Sequence, residues 1–420
     1  GNVIQSDASD TKIYRGGCSG NTAFLRSYGT INSVTMNDCQ MTGVDNIVTT
    51  YLVSMASNCA LQTLVITKCI TNKVTALFAD TATYQDAFIY DNVFKNAPRF
   101  VVRNITASPN SLNMSFFRNR VTDMNGAVTD KSNTARCVQV ICDGVLRVQN
   151  NDMIGAESTT AANFVYFAGC DLICTHNKVT GIKSINSIAV IDDKGVQIAS
   201  NKYDISHNDF DQTGITLAQS PEAIIRINEG NNVSVTNNTF RGLRCFPCRF
   251  YTSVDTGVYI TNVEFSNNRL YDHLHPIMCQ VFQNVTDCTI SDNKVYGISN
   301  ADAQMINGGA QVRLVDIYQT FNNGLDIDNI SIKNNIAFDT PAEAYVVLIQ
   351  RNAVALTSEI IGVSVVGNEL RGGATGGAFT WFAAANLGSA DTIGNIGPLG
   401  ITETKGTIPA GSRQVNNVIT

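Results

Sequence analysis

The chain has 420 residues, a formal net charge of −6, a pI near 5.3 and only 15% charged residues. An acidic balance excludes nucleic acid as the main partner, because neutralising phosphates needs a basic face. The low charged fraction, with 32 Gly and 8 Pro, favours strands and tight turns over long surface helices, and no apolar run reaches the roughly 18 residues of a membrane-spanning helix.

The start, GNVIQSDASD, lacks the basic and apolar regions of a secretory signal. It opens almost directly onto a repeat, which predicts that an anchoring part precedes it in the natural protein. The repeat is clearest in VTNNTFRG (235–242) and returns as FSNNRLYD (265–272), ISDNKVYG (290–297), VVGNELRG (365–372) and ISHNDFDQ (205–212). Its marked position falls at Cys39, Cys69, Asn92, Asn119, Asn151, Asn177, Asn208, Asn238, Asn268, Asn293, Asn335 and Asn368. The spacing averages about 30 residues, inside the window of a solenoid.

Each repeat carries three short strands. In residues 220–242 they are AIIRIN, VSV and TF, with the Asn pair before the third. Three strands in that length fit neither helical periodicity nor two-residue hairpins. They fit a parallel coil in which each strand pairs with its equivalent one turn later, stacking each Asn above the last. Asn suits such a turn because it tolerates left-handed dihedrals and bonds nearby backbone. After residue 372 the phrase stops and the chain turns Gly- and Ala-rich, so 1–372 reads as the coiled region and 373–420 as a C-terminal cap or subunit contact. The 12 cysteines are scattered along the repeat. They read as small buried residues of a chain folded in a reducing compartment. CFPC (245–248) lacks the second ligand pair of a zinc site, so neither a metal nor another cofactor is expected.

Alternation sends every second residue of the first strands outward, and the polar outward positions concentrate in the middle coils. Candidates are Tyr166, one of Asp192 and Asp193, Arg226, Asn228, Tyr251, Asp255, Gln280 and Asp316. The segments 241–255 and 271–276 read as long loops bordering this face and add Arg244, His273 and His275, with Lys194 and Glu229 at strand ends. Hydrolysis of a glycosidic bond needs two carboxylates, for which Asp192, Asp193, Glu229 and Asp255 are the candidates. Tyr166, Lys194, Arg226, Asn228, Arg244, Tyr251, His273 and His275 would hold substrate. A lyase needs a cation to neutralise a uronate and a base for the neighbouring proton, roles open to Lys194, Arg226, Tyr251 and the histidines. A non-catalytic sugar-binding adhesin is the third reading.

The laddered Asn repeat resembles the right-handed, single-stranded parallel β-helix family, the pectate-lyase-like fold, over about residues 20–372, or about 12 coils. In organisation the chain is similar to a bacteriophage tailspike. That resemblance implies a homotrimer on the virion tail, made in the host cytoplasm, that binds and cleaves bacterial surface polysaccharide, capsule or O-antigen.

Overall fold

The computed structural model describes residues 2–6, 10–14, 17–19, 23–43, 50–55, 59–79, 82–104, 113–125, 134–184, 189–195, 201–252, 259–299, 311–319, 326–341, 343–351, 359–372, 376–382, 390–397 and 402–419. The architecture is all-β, a right-handed parallel β-helix, with a single 3-10 turn at Leu217–Gln219 among the described residues. No helix there is long and apolar enough to cross a membrane.

Two compact units divide the chain, one of residues 1–196 with 218–222, the other of 197–217 with 223–420. In the N-terminal unit the first sheet has eight strands, from Asn2–Ser6 to Ala189–Asp193, and the second and third have seven each. In the C-terminal unit the first sheet has seven strands, from Ala223–Ile227 to Thr402–Gly406, and the others have eight each. Pairing within each unit is parallel and, apart from a shift between Ala337 and Thr340, in register, as in Tyr203–Ser206 against Gly230–Thr236 and that strand against Ile260–Ser266.

The predicted ladder is present. In the N-terminal unit the Asn92 amide donates to Asn119 Oδ1 (2.9 Å), Asn119 to Asn151 (3.2 Å) and Asn151 to Asn177 (2.9 Å). In the other unit it runs from Asn208 through Asn238, Asn268, Asn293 and Asn335 to Asn368. Each link is doubled by a backbone N–H to the same oxygen, as from Asn238 to Asn268 (2.9 Å). The second amide hydrogen reaches a backbone carbonyl of the preceding coil, Ile205 in the case of Asn238 (2.8 Å). Two jobs that the sequence reading gave to one residue are divided between two. The ladder residue is buried and bonds, while the residue before it carries the left-handed dihedral: φ is 57° at Asn237, 55° at Asn267 and 58° at His207.

The expectation of a ladder ending at Asn368 is corrected. Asn368 donates to Asn395 and Asn395 to Asn417, both at 3.0 Å. The described residues between 376 and 419 supply two further strands to each sheet. Trp381, read as part of the cap, pairs in the first sheet with Leu348.

The core is continuous and apolar inside each unit. The inward rows of the first sheet include Val102, Val138, Val165 and Ile191 in one unit and Ile225, Cys248, Cys279 and Val315 in the other, all fully buried. Among the described residues eleven cysteines are buried, none of them in a disulfide. Burial raises the thiols of Cys59, to about 11, and of Cys137, Cys279 and Cys288, which leaves these four unreactive near neutrality.

Candidate active site

The outward face of the first sheet carries one polar row in each unit. In the N-terminal unit, register places Arg103, Gln139, Tyr166 and Asp192 on successive strands. Two residues back along the same strands lie Val101, Cys137, Phe164 and Val190, all buried. The polar row therefore borders a covered apolar row. This explains why the strands read as near-continuous hydrophobic runs.

Register settles the choice between the paired aspartates. Asp192 follows Tyr166 in the outward row. Asp193 follows Phe167 in an inward row, is fully buried, and accepts the Gly195 N–H at 2.9 Å. It is a turn carboxylate, and its expected place on an open face is corrected. Lys194 is exposed just beyond, its backbone N–H donating to the Phe167 carbonyl (2.9 Å).

Arg136, on Ala135–Ile141, lies with its guanidinium carbon 3.7 Å from the centre of the Tyr166 ring, and its Nε donates to Asn163 Oδ1 at 3.0 Å. Burial lowers its pKa, and the neighbouring Tyr166 and Asp192 oppose that shift. A guanidinium on an aromatic face and near a carboxylate is a cation held in place without being spent in a close ion pair. Beside it, Gln139 is 7% exposed, yet its Oε1 has no hydrogen-bond partner. A buried acceptor without a donor is costly and marks the point where a bound hydroxyl would be welcome. Arg103 completes the cluster, half-buried against Phe100 (4.7 Å) and Phe78 (5.5 Å).

In the C-terminal unit the corresponding row is Arg226, Arg249, Gln280 and Asp316. Here hydrogen bonds close the row. Arg249 Nε donates to Gln280 Oε1 (2.7 Å), Gln280 Nε2 to Asp316 Oδ2 (2.7 Å), and Arg313 Nε and Gln350 Nε2 to Asp316 Oδ1 (2.9 Å each). Arg313 and Asp316 are fully buried. Burial holds Arg249 down to about 10. One step outward, Tyr251 stacks on Phe282 (4.6 Å) and Phe282 meets Tyr318 edge-on (5.5 Å), with Arg226 over Tyr251 at 5.9 Å.

The other candidates separate by unit. Tyr166, Asp192, Asp193 and Lys194 belong to the first; Arg226, Asn228, Glu229, Arg244, Tyr251, His273 and His275 to the second. Asn228 and Glu229 are buried, Arg244 is half-buried, and Asp255 lies outside the described residues. The segment 241–255 is not one long loop, since Phe246–Tyr251 is a strand of the first sheet and Cys248 faces its core. His273 and His275 are corrected from groove residues to core residues, each 1% exposed. His273 Nε2 lies 3.0 Å from the Ile277 carbonyl, and His275 Nδ1 accepts the Ile277 N–H at 3.2 Å. Burial lowers both imidazoles, His273 to about 4, so both are neutral near pH 7.

Sequence reasoning missed Arg103, Arg136 and Gln139 and, as a row member, Arg249. Arg136 and Arg249 lie in Ala135–Ile141 and Phe246–Tyr251, ahead of the alternating runs read from Cys137 and Phe250.

No known family model matches this sequence, and no curated protein does. Solved structures do align over nearly all of it. One is the alginate lyase AlyF-OU02 in complex with G6, 11% identical over 96% of this chain and 81% of that one, with a TM-score of 0.41. Another is the A-module of the mannuronan C-5 epimerase AlgE6 from Azotobacter vinelandii, 11% identical, over 96% and 91%, at 0.36. A PL6 alginate lyase in complex with a trisaccharide is 8% identical, over 99% and 80%, at 0.25. None of them assigns a role to a residue of this chain. The fold itself stands on the three sheets.

Proposed function

We propose that the protein is a polysaccharide-cleaving enzyme acting on an acidic bacterial surface polymer, and that it cleaves by β-elimination at the Arg136–Tyr166 cluster. The observation that carries this reading is a desolvated guanidinium laid on Tyr166, next to the unpartnered Gln139 acceptor. Elimination from a uronate needs a cation to neutralise the carboxylate and so acidify the adjacent C–H. Arg136 and Arg103 supply that charge. Tyr166, as the phenolate stabilised by the cation beside it, takes the C–H proton. The electron pair of that C–H bond forms the new C=C bond as the glycosidic C–O bond breaks, and Tyr166 hands the same proton to the leaving oxygen, returning to the phenolate. Gln139 Oε1 accepts a sugar hydroxyl.

Hydrolysis is the second reading, and Asp192, a shielded carboxylate beside Tyr166, is the feature in its favour. It needs a second carboxylate facing the same bond, and Asp193 is held inward by Gly195. Both readings are tested by incubating the protein with purified capsular and O-antigen polysaccharides and following fragment size together with the ultraviolet absorbance of an unsaturated uronate. Shortening with absorbance supports elimination; shortening without it hands the site to Asp192. Binding without shortening makes the protein an adhesin.

The setting belongs to the same proposal: a homotrimer on a phage tail, made in the host cytoplasm. Eleven buried cysteines among the described residues, none of them in a disulfide, fit synthesis in a reducing compartment. Sedimentation velocity of the purified protein should give the mass of three chains; a monomer at micromolar concentration would sink this part.

A further inference from the structure

The C-terminal unit carries a second polar face, on the outward side of the third sheet, with no part in the chemistry above. Its strands Thr239–Arg241, Arg269–Tyr271 and Lys294–Tyr296 pair in register, which lines up Thr239, Arg269 and Lys294 in one row and Arg241, Tyr271 and Tyr296 in the next. The middle residues Phe240, Leu270 and Val295 are buried in the core.

The second row is a stacked column. Tyr271 stacks on Tyr296 (5.0 Å, 6° between planes) and Tyr296 on Phe338 (4.7 Å, 2°). Arg241 caps one end of the column over Tyr271 at 5.3 Å, and Arg371 the other over Phe338 at 5.0 Å. Both arginines also meet carboxylates, Arg241 with Asp209 (3.8 Å) and Arg371 with Glu369 (2.6 Å).

The first row differs. Arg269 and Lys294 are exposed, sit on adjacent rungs about 5 Å apart, and make no ion pair with the described residues. Like charges directly opposite one another destabilise a sheet, so the pair costs stability unless an anion lies across it. It lines a groove of about 320 Å³ walled by Asn237, Thr239, Asn267 and Asp292. Asn237, Asn267 and Asp292 are the left-handed residues of successive ladder turns, with φ of 57°, 55° and 57°. That conformation turns their side chains out to solvent while the ladder residues bond inward.

We infer that this groove is a second saccharide-binding site, separate from the cleavage site, which takes an acidic sugar with its carboxylate across Arg269 and Lys294. The amides of Asn237 and Asn267 and the Thr239 hydroxyl meet sugar hydroxyls, and Asp292 accepts one. The aromatic column keeps the neighbouring strands in register, so both cations stay aligned. The inference rests on the acidic-polysaccharide reading for its ligand class. Its service would be to hold a long polymer on the protein between cuts.

The test is isothermal titration of the wild type and of the double variant Arg269→Gln/Lys294→Gln with size-defined oligogalacturonate. A dextran oligosaccharide serves as the neutral comparator, and cleavage of a short acidic oligomer is measured in parallel. Expected is binding of the uronate and not of dextran, weakened about tenfold or more in the variant by loss of two charge-assisted contacts, with unchanged melting temperature and unchanged cleavage of the short oligomer. Equal uronate affinity in the two proteins overturns the groove and leaves the cleavage reading standing. Groove-dependent binding without any cleavage supports the groove and removes the lyase. A wild type that neither binds nor cleaves the uronate overturns both.

Discussion

Two rows on the same kind of sheet use almost the same residues to opposite ends. In the N-terminal unit the row Arg103, Gln139, Tyr166 and Asp192 leaves a buried acceptor unpaired, with the Arg136 guanidinium resting on the Tyr166 ring. In the C-terminal unit Arg249, Gln280 and Asp316 of the row close into a network in which the buried carboxylate accepts three side-chain donors. The C-terminal network is bonded through its glutamine and carboxylate, though Arg313 Nη2 has no partner; bonding of that kind fixes structure, whereas an unbonded acceptor is ready for a ligand. Glutamine is the diagnostic residue, bonded through its oxygen in one row and not in the other.

The largest effect that would break this contrast is on rate. Tyr166→Phe should reduce cleavage of the best acidic polymer by roughly 10²- to 10⁴-fold, the usual worth of a positioned proton-transfer group, while shifting stability by no more than about 0.5 kcal/mol. A variant that cleaves at the wild-type rate would remove the N-terminal row from the chemistry. Arg313→Ala should do the reverse. It takes the closest cation from a fully buried carboxylate, at a cost of roughly 3 to 5 kcal/mol in a denaturant melt, and leaves turnover per folded molecule unchanged.

Next in size is acid sensitivity. His273 is buried neutral with its pKa near 4, below the unfolded value of 6.5. Between those values the unfolded chain binds the extra proton, so stability is complete above about pH 6.5 and is lost as pH falls towards 4. By linkage His273 alone contributes about 3 kcal/mol of that loss, and His275 acts in the same direction. A His273→Gln variant with an undiminished acid slope would contradict this.

The ladder serves as a control, because both units share it. Asn119→Ala and Asn238→Ala should each cost roughly 1 to 3 kcal/mol for unpaired buried groups, with no loss of rate at fixed fold. The finest comparison is between the glutamines. Gln280→Leu removes the acceptor of Arg249 Nε and the donor to Asp316 Oδ2 and should cost roughly 1 to 3 kcal/mol. Gln139→Leu removes an acceptor that has no donor, so it should be neutral or slightly stabilising while weakening substrate binding. Equal destabilisation by the two would erase the distinction between the rows.

Much of the fold was legible because the ladder phrase is written out in the chain: buried Asn cannot be replaced by a generic polar residue without losing its bonds, so it recurs visibly. Strand alternation was enough to mark Tyr166, Gln280 and Asp316 as outward. It could not choose between Asp192 and Asp193, since one residue of register exchanges the two faces. The histidines misled because a polar residue in an apparent loop suggests solvent, whereas both imidazoles bond their own turn at Ile277. Arg136 and Arg249 were hidden by strands that begin earlier than their apolar runs. The last coils escaped notice in a Gly- and Ala-rich background, although Asn416 and Asn417 repeat the Asn pair of the opening phrase.

Ladder direction has a consequence for how the chain is made. In the links from Asn92 to Asn177 and from Asn208 to Asn417, one amide hydrogen and the backbone N–H of each donating Asn point forward, to an oxygen that lies 22 to 42 residues later in the sequence. The other amide hydrogen, as in Asn238 and Asn395, holds the coil before. During synthesis each new coil therefore presents donors whose acceptor has not yet been translated, and it becomes secure only when its successor closes over it. Assembly within each unit can follow the ribosome in order, one coil at a time, without waiting for distant segments. A lesion in one rung would then be felt first as a pause at that rung, before it is felt as a loss of stability in the finished molecule.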